Sequence, residues 1–103
     1  MHNLRFRTEA ESDIHDILRF YAVERNNPIF ANRLADEIQE AVERLREYPY
    51  ANPVLLSRLR IKHEYRKLLV RDYLIFYRIS EPRKTVIIYR VLNARMDYER
   101  HLK

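Results

Sequence analysis

Three runs near the end of the chain, Tyr65 to Val70, Tyr73 to Ser80 and Thr85 to Leu92, are dense in β-branched and aromatic residues and predict strands. The breaks between them, Arg71-Asp72 and Glu81-Pro82-Arg83-Lys84, are short enough to impose antiparallel pairing in a meander. Asp72 tolerates left-handed backbone and Pro82 presets a type I turn, so both breaks have turn chemistry without glycine. Alternation places Tyr73, Ile75, Tyr77 and Ile79 on one face of the middle run and Leu74, Phe76 and Arg78 on the other. In the third it sets Val86, Ile88, Arg90 and Leu92 against Ile87, Tyr89 and Val91. Apolar groups on both faces require cover on both. The chain's own helices can supply one layer. The other falls either to the C-terminal residues and Lys or Arg stems, or to a second protein.

Upstream, Leu4 and Phe6 alternate with Arg5 and Arg7, a short first strand. Thr8 and Glu11 form a capping-box pattern before Ala10, Ile14, Ile17, Leu18 and Tyr21, which predicts a helix over about 9–24. Asn27-Pro28 opens a second helix with the stripe Phe30, Leu34, Ile38, Ala41, Val42 and Leu45, bounded by Pro49. The short Arg25-Asn26 link makes the two an antiparallel hairpin. Residues 50–62 read as a loop in which Leu59-Arg60-Ile61-Lys62 could begin the next strand. The expected architecture is α+β, a helical hairpin on one face of a small antiparallel sheet, in the order β-α-α-β-β-β with a short C-terminal tail or helix.

At 103 residues, 47% of them hydrophobic, the chain suffices for one small domain over 1–103. With no cysteine, disulfides and thiolate zinc sites are excluded. The first residues lack the apolar core of a signal peptide, and no run of 18 apolar residues exists, so the expected location is the cytoplasm, without membrane insertion. Glycine is absent, which removes glycine-rich phosphate loops and dinucleotide fingerprints, and no cofactor or small-molecule substrate is expected. His2, His15, His63 and His101 are scattered, and no metal is expected. The formal net charge is +5, unevenly placed: residues 1–64 carry 10 Lys/Arg and 11 Asp/Glu, whereas residues 65–103 carry 10 and 4. The strand-rich half is the basic half, a surface suited to nucleic acid or an acidic protein. Arg78 and Arg90 interrupt apolar strands and need an edge or an acidic partner, with Asp72, Glu81 and Asp97 as internal candidates. Arg95 follows the last strand in a polar stretch where packing gives it no role. The tyrosines at 65, 73, 77 and 89 read as packing residues.

This layout resembles the RelE/ParE superfamily of bacterial toxins from type II toxin-antitoxin pairs, over nearly the whole chain. The segments that carry the resemblance are Tyr65-Arg66-Lys67-Leu68, Tyr73-Leu74-Ile75-Phe76-Tyr77-Arg78 and Arg90-Val91-Leu92, leading to Arg95-Met96-Asp97 and Arg100-His101-Leu102. The resemblance implies a growth-arresting toxin neutralised by a cognate antitoxin whose extended segment wraps it. It also implies one of two targets. RelE-like members cut messenger RNA on the ribosome, and Arg66, Arg95 and Tyr98 sit at or near positions similar to parts of that catalytic site. ParE-like members poison DNA gyrase and are not nucleases. Leu68 and Leu74 stand where the nucleases place basic side chains, and Asn93 stands where many relatives carry histidine. Arg95-Met96-Asp97 and the Arg100-His101-Leu102 tail resemble the ParE branch, which makes gyrase poisoning the favoured expectation. Arg78, Arg90, Arg95 and Arg100 are then the candidates for holding target or antitoxin. The groups able to move a proton are Tyr98, Tyr77, Asp97, His101 and His63, since arginine stays protonated. A basic nucleic-acid-binding or adaptor module without toxicity is a further alternative.

Overall fold

A computed structural model describes residues 1–56 and 63–102; the expected early strand start at Leu59-Lys62 lies outside them. The elements are β1 (Asn3–Phe6), α1 (Thr8–Arg19) continuing into a π-helical turn (Phe20–Glu24), α2 (Pro28–Arg44), β2 (Arg66–Val70), β3 (Tyr73–Ser80), β4 (Thr85–Asn93) and a 3-10 turn (Tyr98–His101). Two helices pack on a four-stranded sheet, and the order β-α-α-β-β-β is the expected one. The sheet order is β1-β4-β3-β2. β2, β3 and β4 form the antiparallel meander, but β1 lies parallel to β4, with Leu4 opposite Val86 and Phe6 opposite Ile88. The sheet is therefore mixed rather than wholly antiparallel. Parallel neighbours need a long crossover, and the helical hairpin with β2 and β3 supplies it.

The helix starts follow local chemistry with one correction. Asn27 caps α2, its side-chain oxygen accepting from Phe30 N at 3.1 Å, with Pro28 in the first turn. The Thr8/Glu11 capping box does not form. The chain stays in strand pairing through Arg7, whose N–H donates to Ile88 O at 2.9 Å. Arg7 is thus the extended cap residue and Thr8 the first helical one. Turn geometry is also redistributed. Lys84 N donates to Glu81 O as Pro82 at the second turn position demands, while the left-handed residue of the β2–β3 turn is Arg71 (φ 52°), not Asp72. A non-glycine residue there costs about 1–3 kcal/mol. Arg71 is held by a bidentate bond to Glu37 of α2 at 2.6 and 2.8 Å.

Two apolar clusters flank the sheet. On the helix side, Leu34, Ile38, Ala41, Val42 and Leu45 meet Val70, Tyr73, Ile75, Tyr77, Val86, Ile88 and Val91. On the other side, Tyr65, Leu74, Phe76 and Leu92 are covered by Leu102, with Leu55, Tyr89, Ala94 and Tyr98 at the margin. The chain's own tail is thus the second cover for this end of the sheet. Strict alternation along β4 fails: Tyr77 pairs with Ile88 and Phe76 with Arg90, so Tyr89 is an extra bulged residue. Beyond it the facing inverts, and Val91 joins Val86 and Ile88 while Leu92 joins the opposite cluster.

Candidate functional site

The tail covers only one end of the helix-free face. At the other, strand alternation brings together side chains far apart in sequence. Leu4 and Phe6 point to the helices, so Arg5 of β1 and Arg7 just after it point away, beside Ile87 and Tyr89 of β4. Arg78 of β3, paired with Ile87, joins them. Tyr89 sits between two cations, with the Arg7 guanidinium 4.9 Å and the Arg78 guanidinium 5.7 Å from its ring centroid. Arg78 also donates to the Tyr89 hydroxyl at 3.1 Å. Tyr65 meets Tyr89 edge-on at 5.2 Å, and the His63 ring lies 6.2 and 6.3 Å from the two tyrosine rings. Burial, with the neighbouring Tyr89, pushes the Tyr65 phenol above its ordinary value, against the pull of Arg78 and Arg7. Next to this cluster opens a cleft of about 260 Å³, lined by Arg7, Glu9, His63, Tyr65, Tyr89, Arg90, His101 and Leu102.

The residues singled out from sequence are distributed unevenly around this face. Arg90 lines the cleft, but its guanidinium is bound to Asp13 of α1 at 2.7 and 2.9 Å, and Asp13 accepts from Val91 N as well. Asp13 is a partner outside the three candidates. Arg66 extends the row of Leu68 and Val70 toward the helix side, donates to Asn52 O at 2.7 Å and stacks on Tyr50. Tyr98 lies on the opposite face, its ring 5.1 Å from Phe76. Arg95 stands exposed in the turn after β4, its backbone N–H held by the Asn93 side chain at 2.8 Å. Among the described residues its guanidinium has no ion pair. Arg100 pairs with Asp97. Arg66, Arg95 and Tyr98 therefore do not converge.

Of the groups able to move a proton, the structure gathers His63 and His101 in the cleft. Tyr77 is buried, donating to Pro49 O at 2.7 Å, and Asp97 is taken up by Arg100. Leu68 packs against the helix-side core and Leu74 is buried in the tail-side cluster. Lys67 shares the face of Leu74, whereas Arg71 is tied to α2. Arg7 and Tyr89 are the site residues that sequence reasoning passed over. The available signal was the pairing of Arg5 and Arg7 opposite Leu4 and Phe6. Among the described residues no group of His, Asp or Glu side chains could hold a metal ion, and no helix is long and apolar enough to cross a membrane.

A two-helix layer on a four-stranded mixed sheet is a RelE/ParE-like fold. Two solved structures share it. The first is described as the chromosomal ParDE toxin-antitoxin system from P. aeruginosa: TM-score 0.71 at 21% identity, covering 90% of this chain and 96% of that one. The second is described as the RelBE2 toxin-antitoxin complex from Mycobacterium tuberculosis: TM-score 0.62 at 22% identity, covering 89% and 96%. No curated protein matches the chain. The sequence model of the ParE toxin of type II toxin-antitoxin systems, parDE, matches residues 4–98, and the chain belongs to that family.

Proposed function

We propose that this type II toxin arrests growth by poisoning DNA gyrase, as one toxin domain over 1–103 acting in the cytoplasm, and that a cognate antitoxin neutralises it. The observation that carries the choice of target is the dispersal of the nuclease candidates. Arg66 and Tyr98 occupy opposite faces of the sheet, bonded to Asn52 and packed on Phe76. Leu68 and Leu74 are packing residues where a ribosome-dependent nuclease needs cations to stabilise charge on the phosphate. An antitoxin fits both neighbours, whose descriptions are of toxin-antitoxin systems. It also fits the surface, where Arg5, Arg7 and Arg78 line one face and Leu69, on the edge strand β2, is 62% exposed. Arg95, exposed in the turn after β4, is the principal anchor for the target, and Arg78, Arg90 and Arg100 are the further candidates for holding target or antitoxin.

The test is to add the purified chain to a gyrase supercoiling and cleavage assay and, in parallel, to ribosomes programmed with mRNA. Trapped gyrase cleavage complexes are expected, and Arg95→Ala should weaken them about tenfold or more, the loss of roughly 1.4 kcal/mol or greater, while circular dichroism stays unchanged. mRNA cut only in the presence of ribosomes would overturn the assignment.

A further inference from the structure

Arg95, the anchor of the gyrase reading, does not line the cleft beside Tyr89; of the other candidates for target or antitoxin only Arg90 does, and Asp13 already holds its guanidinium. The cleft is formed where β1 hands over to α1, where the chain approaches β2, where β4 bulges and where the tail returns. We propose that this cleft is a phosphate-binding site, with Arg7 and His101 as its principal donors. The proposal goes beyond the target assignment and stands whichever target the toxin has.

Arg7 is half exposed, its guanidinium fixed over the Tyr89 ring. Among the described residues its carboxylate contact is Glu9 at 3.9 Å, at the outer limit of an ion pair, between side chains that are 50% and 57% exposed. A phosphate can displace so weak a partner. Arg90 is different: Asp13 occupies its Nε and Nη2 donors, so it shapes the wall and adds little net charge. His101 faces the same space from the tail, and Tyr65 and Tyr89 close the floor. Donors thus come from two separate elements, the residue before α1 and the tail, onto one cleft; a phosphate has oxygens enough to accept from both, two of them from a single guanidinium. Tyr89 has a cation over its ring and a second nearby, so its face is not free for a base. The cleft recognises the phosphate, with room for an attached sugar. Such a phosphate can belong to a small ester or to a nucleic-acid strand.

The experiment is a titration of the full-length, isotopically labelled chain followed by amide shifts at Arg7, Tyr65, Tyr89 and Leu102. The probes are inorganic phosphate, ribose 5-phosphate and a 5′-phosphorylated 2′-O-methyl trinucleotide, with glutarate and chloride at matched ionic strength as controls. Saturable shifts are expected with phosphate and with at least one ester. Tighter binding of ribose 5-phosphate assigns the site to small esters, and tighter binding of the trinucleotide assigns it to a strand. Arg7→Ala should lower affinity about tenfold. Glu9→Gln, which removes the competing carboxylate from an exposed position, should raise it about threefold; a misfolded variant could not produce that gain. Glutarate binding as tightly as phosphate, shifts no larger than chloride gives, or a Glu9→Gln variant without a gain would each overturn the site.

Discussion

Arg90 shows how a charge inside an apolar strand is accommodated. The bulge at Tyr89 offsets β4, and the Arg90 guanidinium closes a two-point contact with Asp13 on α1, whose carboxylate also holds Val91 N. With side chains only 24% and 15% exposed, each partner depends on the other. Asp13→Ala should lower unfolding free energy by about 3 kcal/mol, because it strands a largely buried cation. Removing both charges, in Asp13→Ala with Arg90→Met, should recover part of that loss in urea denaturation. A double variant no more stable than the single one would show that the pair itself, rather than the stranded charge, matters. The sequence displayed the need for a partner but not which acid, since Asp13 is 77 residues away and only the docking of α1 on β4 brings it close.

Among the elements, the tail has the largest consequence for its length. Four residues of 3-10 turn end in Leu102, 3% exposed against Tyr65, Leu74, Phe76 and Leu92. Without it, that cluster would face water. Leu102→Ala should lower stability by about 2 kcal/mol, read from chemical denaturation. A loss below about 0.5 kcal/mol, typical of an exposed surface position, would mean that the tail is frayed in solution and this end of the sheet is open. The strands, turns and α2 were legible element by element, because period-2 and period-3.6 patterns and the Asn27-Pro28 start are local signals. The partner of β1 was not, as pairing a four-residue strand is decided by which edge the crossover leaves available. The break in α1 at Phe20 was equally silent.

Over the whole molecule, a side-chain contact reinforces the β1–β4 pairing that ties the chain's beginning to the meander. His2 Nε2 and Glu81 lie 2.7 Å apart, between the residue before β1 and the β3–β4 turn, while His2 N and O bond to Arg46 beyond α2. The His2 bond, with help from Tyr50 and Lys84, holds the Glu81 carboxyl below its ordinary value, and Arg71 does the same for Glu37. A carboxyl depressed in the folded state stabilises above its unfolded value, near 4.3, and that contribution is lost as pH falls through the lower folded value. The melting temperature should therefore drop between about pH 5 and 3, and Glu81→Gln with Glu37→Gln should flatten the drop. An unchanged acid slope in the double variant would refute this closure.

By itself, the sequence determined the layers and their order, because burial periodicity and turn chemistry act over a few residues and survive without knowledge of the rest. It also placed the positive charge in the strand-rich half and led to the RelE/ParE resemblance. Tertiary structure alone decided which of those charges are available. A single bulged residue reversed the facing of β4, α1 neutralised Arg90, and parallel pairing of β1 carried Arg7 onto Tyr89. The last two depend on contacts between segments 77 or more residues apart, and the first on how β3 and β4 register, so geometry of packing, not local preference, sets the outcome.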